Sequence, residues 1–180
     1  MNKVRMGVIG LGNMGTTHVK SILENKIPGM ELGAVADRSE MRRSWAAGIL
    51  PIGFPIYSEG IDLITSGKAD AVLIATPHYQ HPSLGIEAMK NKLHVMCEKP
   101  AGVYTKQVRE INEFAAERKD LVYGMMFNQR TNCVFRKMHE LIQSGSMGAI
   151  KRVNWIITDW YRTQRIRTPR GTFRRNRARQ

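Results

Sequence analysis

The stretch Val8-Ile-Gly-Leu-Gly-Asn-Met-Gly-Thr-Thr-His18 carries the decisive pattern of this chain. Residues 3–9 form an apolar run of strand length, and it runs straight into glycines at 10, 12 and 15. Residues 14–26 then read as a helix, stopped by Pro28-Gly29. In a strand–turn–helix of this kind Gly10 permits the tight turn and Gly12 lets a ligand approach the backbone. Gly15 lets the helix pack against the strand. The free N–H groups at the helix start, those of Asn13 and Met14, face an anion together with the helix dipole.

The next apolar run, residues 30–36, ends on Asp37, about 20 residues beyond the turn, which is the spacing of a dinucleotide fingerprint. A pyrophosphate would lie on the turn, and Asp37 would accept hydrogen bonds from the adenosine ribose. A carboxylate there repels a 2′-phosphate, so the pattern favours NAD. Arg38 follows at once and could pair with that phosphate, which keeps NADP as the alternative. Arg38 also reads as a solvated loop residue or a stacking surface for adenine.

Helix and strand patterns alternate onward. Helices are expected over residues 41–48, 61–66, 82–91 and 106–118, and strands over 55–57, 71–74, 94–96 and 121–123. Uniformly apolar strands alternating with helices predict an α/β protein: a Rossmann-type, doubly wound parallel sheet covered on both faces. A further helix is expected over 134–144. Residues 150–160, rich in β-branched and aromatic side chains, read as the opening strand of a separate sheet.

Composition is that of an ordinary globular protein, with room for one core and part of a second. No apolar run reaches the length of a membrane span. The two cysteines, Cys97 and Cys133, have no metal-ligand spacing, which fits a reducing cytoplasm. The formal charge is +13, but the last sixteen residues hold seven Arg and no acid. Without them 21 basic residues face 15 acidic ones, a formal +6. The excess therefore argues for a basic tail and against a nucleic-acid-binding body, since no RNA-binding motif accompanies it.

Three motifs in order carry a resemblance: the glycine turn with His18, then Ala75-Thr-Pro-His-Tyr-Gln-His-Pro82, then Cys97-Glu-Lys-Pro100. Together they resemble the Gfo/Idh/MocA oxidoreductases, over residues 3 to about 164. The resemblance implies an NAD(P)-dependent dehydrogenase with a Rossmann domain and a second, α/β substrate domain. It implies hydride transfer at a secondary alcohol of a sugar or cyclitol, in a homo-oligomer joined through the second sheet. Thr76 and Pro77 would contact the cofactor near its nicotinamide ribose. His81 would reach the same ribose or simply start a helix, and Glu98 would bind that ribose. Lys99, the catalytic candidate, would hydrogen-bond the substrate hydroxyl and steady the developing alkoxide. Pro100 is expected in the cis form, and Asn128 in a cofactor-side loop. Met125 and Met126 read as core packing, and His94 and His139 as structural or solvent-facing.

The same resemblance implies a histidine in the second domain as acid–base catalyst, but no histidine follows His139. The expected organisation is a dinucleotide-binding domain over 1–124, an incomplete start of the substrate domain over 125–164, and an arginine-rich tail over 165–180. The tail is expected to be disordered, or out of frame after a shift near Gln164. Cofactor binding without full catalysis is the expected behaviour. A non-catalytic dinucleotide-binding module, acting as redox sensor or partner-binding protein, is the alternative.

Overall fold

The structure, a computed structural model, describes residues 3–158. Trp160 and the tail from Arg165 lie outside the described residues. Contacts divide the chain between Asn132 and Cys133. The first unit therefore extends past the boundary at 124 that the sequence suggests.

Within that unit six strands form one sheet: β1 (Val4–Ile9), β2 (Met30–Ala36), β3 (Ile56–Tyr57), β4 (Ala71–Ile74), β5 (His94–Glu98) and β6 (Tyr123–Met126). Their order is β3-β2-β1-β4-β5-β6, and every pair is parallel. Five helices alternate with them: α1 (Asn13–Leu23), α2 (Glu40–Ile49), α3 (Gly60–Thr65), α4 (His81–Lys90) and α5 (Thr105–Ala116).

Strand side chains alternate between two cores because successive residues point to opposite faces. Val8, Val35, Ala71 and Leu73 pack with Val19 and Ile22 of α1 and Ala46 of α2. Ile9, Ala36, Val72, Ile74, Val95 and Cys97 pack with Leu63 of α3, Met89 of α4 and Ile111 of α5. A strand buried on both faces has no polar side to show, which is why β4 reads as an unbroken apolar run. The apolar stripe of α1 falls at Gly15, Val19 and Ile22, spacings of four and three.

The strand order reverses between β1 and β4, where a crevice opens at the carboxyl ends of the strands. Most elements match their expected ranges, but the last strand lies later, at Tyr123–Met126 in place of residues 121–123. Met125 and Met126 take part in packing on opposite faces, as expected.

The second unit contains α6 (Cys133–Gln143), and Phe135 at its start stacks on Trp155 with ring centroids 5.4 Å apart. A strand is expected over 150–160; its described part, residues 150–158, has no regular structure. β-Branched composition alone does not make a strand, because the backbone groups need a neighbouring strand to bond. Among the described residues no helix is long and apolar enough to cross a membrane.

Candidate dinucleotide site

At the crevice Gly10 adopts φ +95°, a region open mainly to glycine, and a Cβ there would lie 2.7 Å from the Ala75 carbonyl. Gly15 is closer still, since a Cβ on it would run into the carbonyl oxygen of Gly10. These two glycines are required by the chain itself. Gly12 is different. Its φ is an ordinary −71°, and a Cβ on it would meet only the guanidinium end of Arg42, at 2.9 Å. The fold leaves that backbone bare without needing to, which suits a cradle for a ligand. Gly12 caps α1, and the adjacent Asn13 and Met14 are exposed.

A cleft of about 640 Å³ opens beside the turn, lined by Gly10, Asp37, Arg38, Arg42, Thr76 and Pro77 among others. The end of β2 brings Asp37 to it, where backbone N–H groups of Leu11 and Ser39 donate to its two carboxylate oxygens at 2.6 and 2.8 Å. Each carboxylate oxygen has a second lone pair, so the group still accepts from ribose hydroxyls. Arg38 is drawn away, its Nε donating to Glu59 at 2.9 Å. Arg42 stands nearer to the acid, 3.7 Å from Asp37 Oδ2. Sequence reading missed Arg42 and Glu59. Arg42 lies in the first turn of α2, five residues beyond Asp37, a signal that motif spacing does not encode. Thr76 Oγ1 is buried without a hydrogen-bond partner among the described residues, a polar atom at the cleft that a bound group would satisfy. The glycine cradle, the acid and this orphan hydroxyl together fit a dinucleotide.

His81 starts α4, one of the two places expected for it. Its ring is fully buried, with Nδ1 2.8 Å from the Pro100 carbonyl and Nε2 2.9 Å from the Thr76 carbonyl. Both nitrogens are thus occupied by backbone, and the ring braces the segments after β4 and β5. His78, whose ring centroid is 5.6 Å from that of His81, has its pKa lowered, first by burial and then by the charges of His81 and Lys99.

Glu98 closes β5 and is 6% exposed, with Oε1 2.9 Å from His18 Nε2. Lys99 and Pro100 follow, exposed at the carboxyl edge and joined by a cis peptide bond, the isomer expected. Asn128 begins a 3₁₀ turn just beyond β6, exposed at the same edge but outside the cleft lining. His94 is structural: its Nδ1 accepts the Val122 N–H at 3.0 Å. His139 lies exposed on α6.

The geometry agrees with comparisons to known proteins. The Gfo/Idh/MocA profile, described as an oxidoreductase family with an NAD-binding Rossmann fold, matches residues 4–125. An inositol 2-dehydrogenase of Rubrobacter xylanophilus is 33% identical over 148 residues, 82% of this chain and 42% of that protein. The rhizopine catabolism protein MocA of Rhizobium meliloti is 30% identical over 154 residues, 86% of this chain and 47% of that one. The crystal structure of myo-inositol 2-dehydrogenase from Lactobacillus plantarum superposes with a TM-score of 0.77 at 29% identity, covering 83% of this chain and 43% of that one. The chain spans less than half the length of these relatives. With its glycine cradle, its acid at the end of β2 and a matching profile across most of its length, the chain belongs to the Gfo/Idh/MocA family of NAD-binding Rossmann oxidoreductases.

Proposed function

We propose that this chain supplies the cofactor-binding part of an NAD(H)-dependent oxidoreductase, cytoplasmic and homo-oligomeric, that acts on a secondary alcohol of a sugar or cyclitol. The observation that carries the reading is Gly12, bare at the mouth of the cradle although the fold does not require it. Gly10, Gly12 and Gly15 shape the cradle, and the N–H groups of Asn13 and Met14 take the pyrophosphate. Asp37 accepts from the adenosine ribose and selects against a 2′-phosphate, and the pairing of Arg38 with Glu59 supports NAD over NADP. Thr76, Pro77, Glu98 and Asn128 hold the nicotinamide side.

When bound, the nicotinamide ring accepts or returns the hydride. Lys99 donates a hydrogen bond to the substrate oxygen and stabilises its developing negative charge. The inositol dehydrogenase names of two relatives support the cyclitol class of substrate. Residues from 133 onward would begin the substrate domain. The chain spans less than half the length of these relatives, so this reading concerns cofactor binding first. The exposed Val153, Trp155 and Ile156 favour a second reading, a dinucleotide-binding module without catalysis that senses redox state or docks a partner. A defined dimer with intact NADH affinity and no activity on any alcohol would favour it.

The test is a titration of NADH and NADPH against the purified chain, followed by nicotinamide fluorescence. Saturable binding that prefers NADH is expected. Gly12→Asp, which puts bulk and negative charge against the pyrophosphate, should weaken NADH binding at least about a hundredfold. A variant that binds NADH as the wild type does would remove the cradle from its assigned place.

A further inference from the structure

His18 has no part in the roles assigned so far, yet it pairs with Glu98. His18 lies on α1, three residues past Gly15, and Glu98 ends β5. In the sheet, β4 lies between β1 and β5, so the 2.9 Å contact reaches across a whole strand. Both side chains are largely withdrawn from water, with exposures of 15% for His18 and 8% for Glu98. A carboxylate so buried is costly unless bonded, and His18 is its hydrogen-bond partner among the described residues. The same carboxylate helps burial push the neighbouring Cys97 thiol up to about 12.

One end of this pair belongs to the helix whose start forms the phosphate cradle. The other belongs to the residue that the proposed function places against the nicotinamide ribose. We infer that His18 is a positioning residue: its Nε2–H holds Oε1 of Glu98, fixing the carboxylate so that Oε2 accepts from the nicotinamide ribose. This inference rests on the cofactor reading above. It goes beyond that reading by giving α1 a second task, since the helix that takes the pyrophosphate also sets the receptor for the other half of the molecule. Bond donation by a neutral Nε2–H tautomer and by an imidazolium is geometrically the same, so the device does not depend on the charge of His18.

A purely structural brace and a positioning residue differ in what their loss does to the two halves of the ligand. ADP carries the adenosine and the pyrophosphate but no second ribose, whereas NADH presents the nicotinamide ribose that Glu98 would hold. Affinities of both are measured calorimetrically on the full chain for wild type, His18→Phe, His18→Asn and His18→Gln. Phe keeps the ring volume without a donor, Asn is too short to reach Glu98, and Gln retains an N–H at about the Nε2 position.

The expected result is a wild type that binds NADH more tightly than ADP. Phe and Asn should reduce that preference about tenfold, the size of a lost hydrogen bond to a charged group, and Gln should restore most of it. The ratio of the two affinities within one variant is insensitive to the fraction folded, so a destabilised variant still reports. Two results overturn the inference: a ratio unchanged in Phe and Asn, or a wild type that binds the two ligands equally. A wild type that binds neither ligand fails at an earlier step, and takes the cofactor reading down with it.

Discussion

Gly12 and Gly15 stand three residues apart in one motif, yet they answer to different demands. Gly15 is fixed by the fold, because a Cβ there runs into the Gly10 carbonyl. Gly15→Ala is expected to cost about 3 kcal/mol in urea unfolding, at the upper end for overpacking. Gly12→Ala should unfold within about 0.5 kcal/mol of wild type, since only the movable end of Arg42 opposes it. Equal losses in both variants would show that Gly12 is structural after all. Thiol chemistry gives a second contrast at this scale. Burial, helped by Glu98, raises the Cys97 thiol to about 12, while Cys133 is exposed. At pH 8 iodoacetamide should therefore label Cys133 and leave Cys97 intact until the chain is denatured. The glycines and Asp37 were legible in the sequence because their geometry is local to one strand–turn–helix and the strand after it. Partners separated by long stretches of chain were not, as His18 and Glu98 show, because no periodicity links residues that only the sheet order brings together.

Among the elements, β1 and β4 are tied at both ends by different means. At the carboxyl end the backbone closes the crevice, with Ala75 N–H donating to the Ile9 carbonyl at 2.8 Å. At the amino end Arg5 and Asp70 form a 2.6 Å ion pair, reinforced by the Arg5 backbone N–H donating to Asp70 at 2.9 Å. The side-chain hydrogen bond from Arg5, followed by its backbone N–H, holds the Asp70 carboxyl below its ordinary value. A carboxylate with a depressed folded pKa adds stability above its unfolded pKa and loses it as pH falls through the folded one. Asp70→Asn should accordingly flatten the acid limb of an unfolding-versus-pH curve, modestly for so exposed a pair. His81 braces the turns after β4 and β5, and His81→Ala, which strips two carbonyls of a buried partner, should cost about 3 kcal/mol by the same measurement. Element types were readable because helices and buried strands carry their own periodicity. Residues 150–158 misled the reading, since their β-branched side chains describe a surface that fits a sheet without supplying the sheet.

At the scale of the whole molecule, the chain spans 42% of one inositol 2-dehydrogenase and 47% of the rhizopine catabolism protein. Its first unit has two packed cores, whereas the second shows water a row of apolar residues that includes Val153, Trp155 and Ile156, the last 84% exposed. Such a patch is expected to make sedimentation depend on protein concentration, and Val153→Lys with Ile156→Lys should reduce that dependence. An unchanged profile would show that the patch is inert. The doubling of the core in the first unit reaches beyond stability. In β4, Val72 feeds one core and Leu73 the other, so deleting a single residue there exchanges every later side chain of the strand between the two. The strand therefore tolerates a changed letter far better than a changed count. Around Ile52, wholly exposed on the link before β3, the opposite holds. Mutations of length, unlike mutations of kind, should therefore survive in this lineage at the links and be erased from the strands.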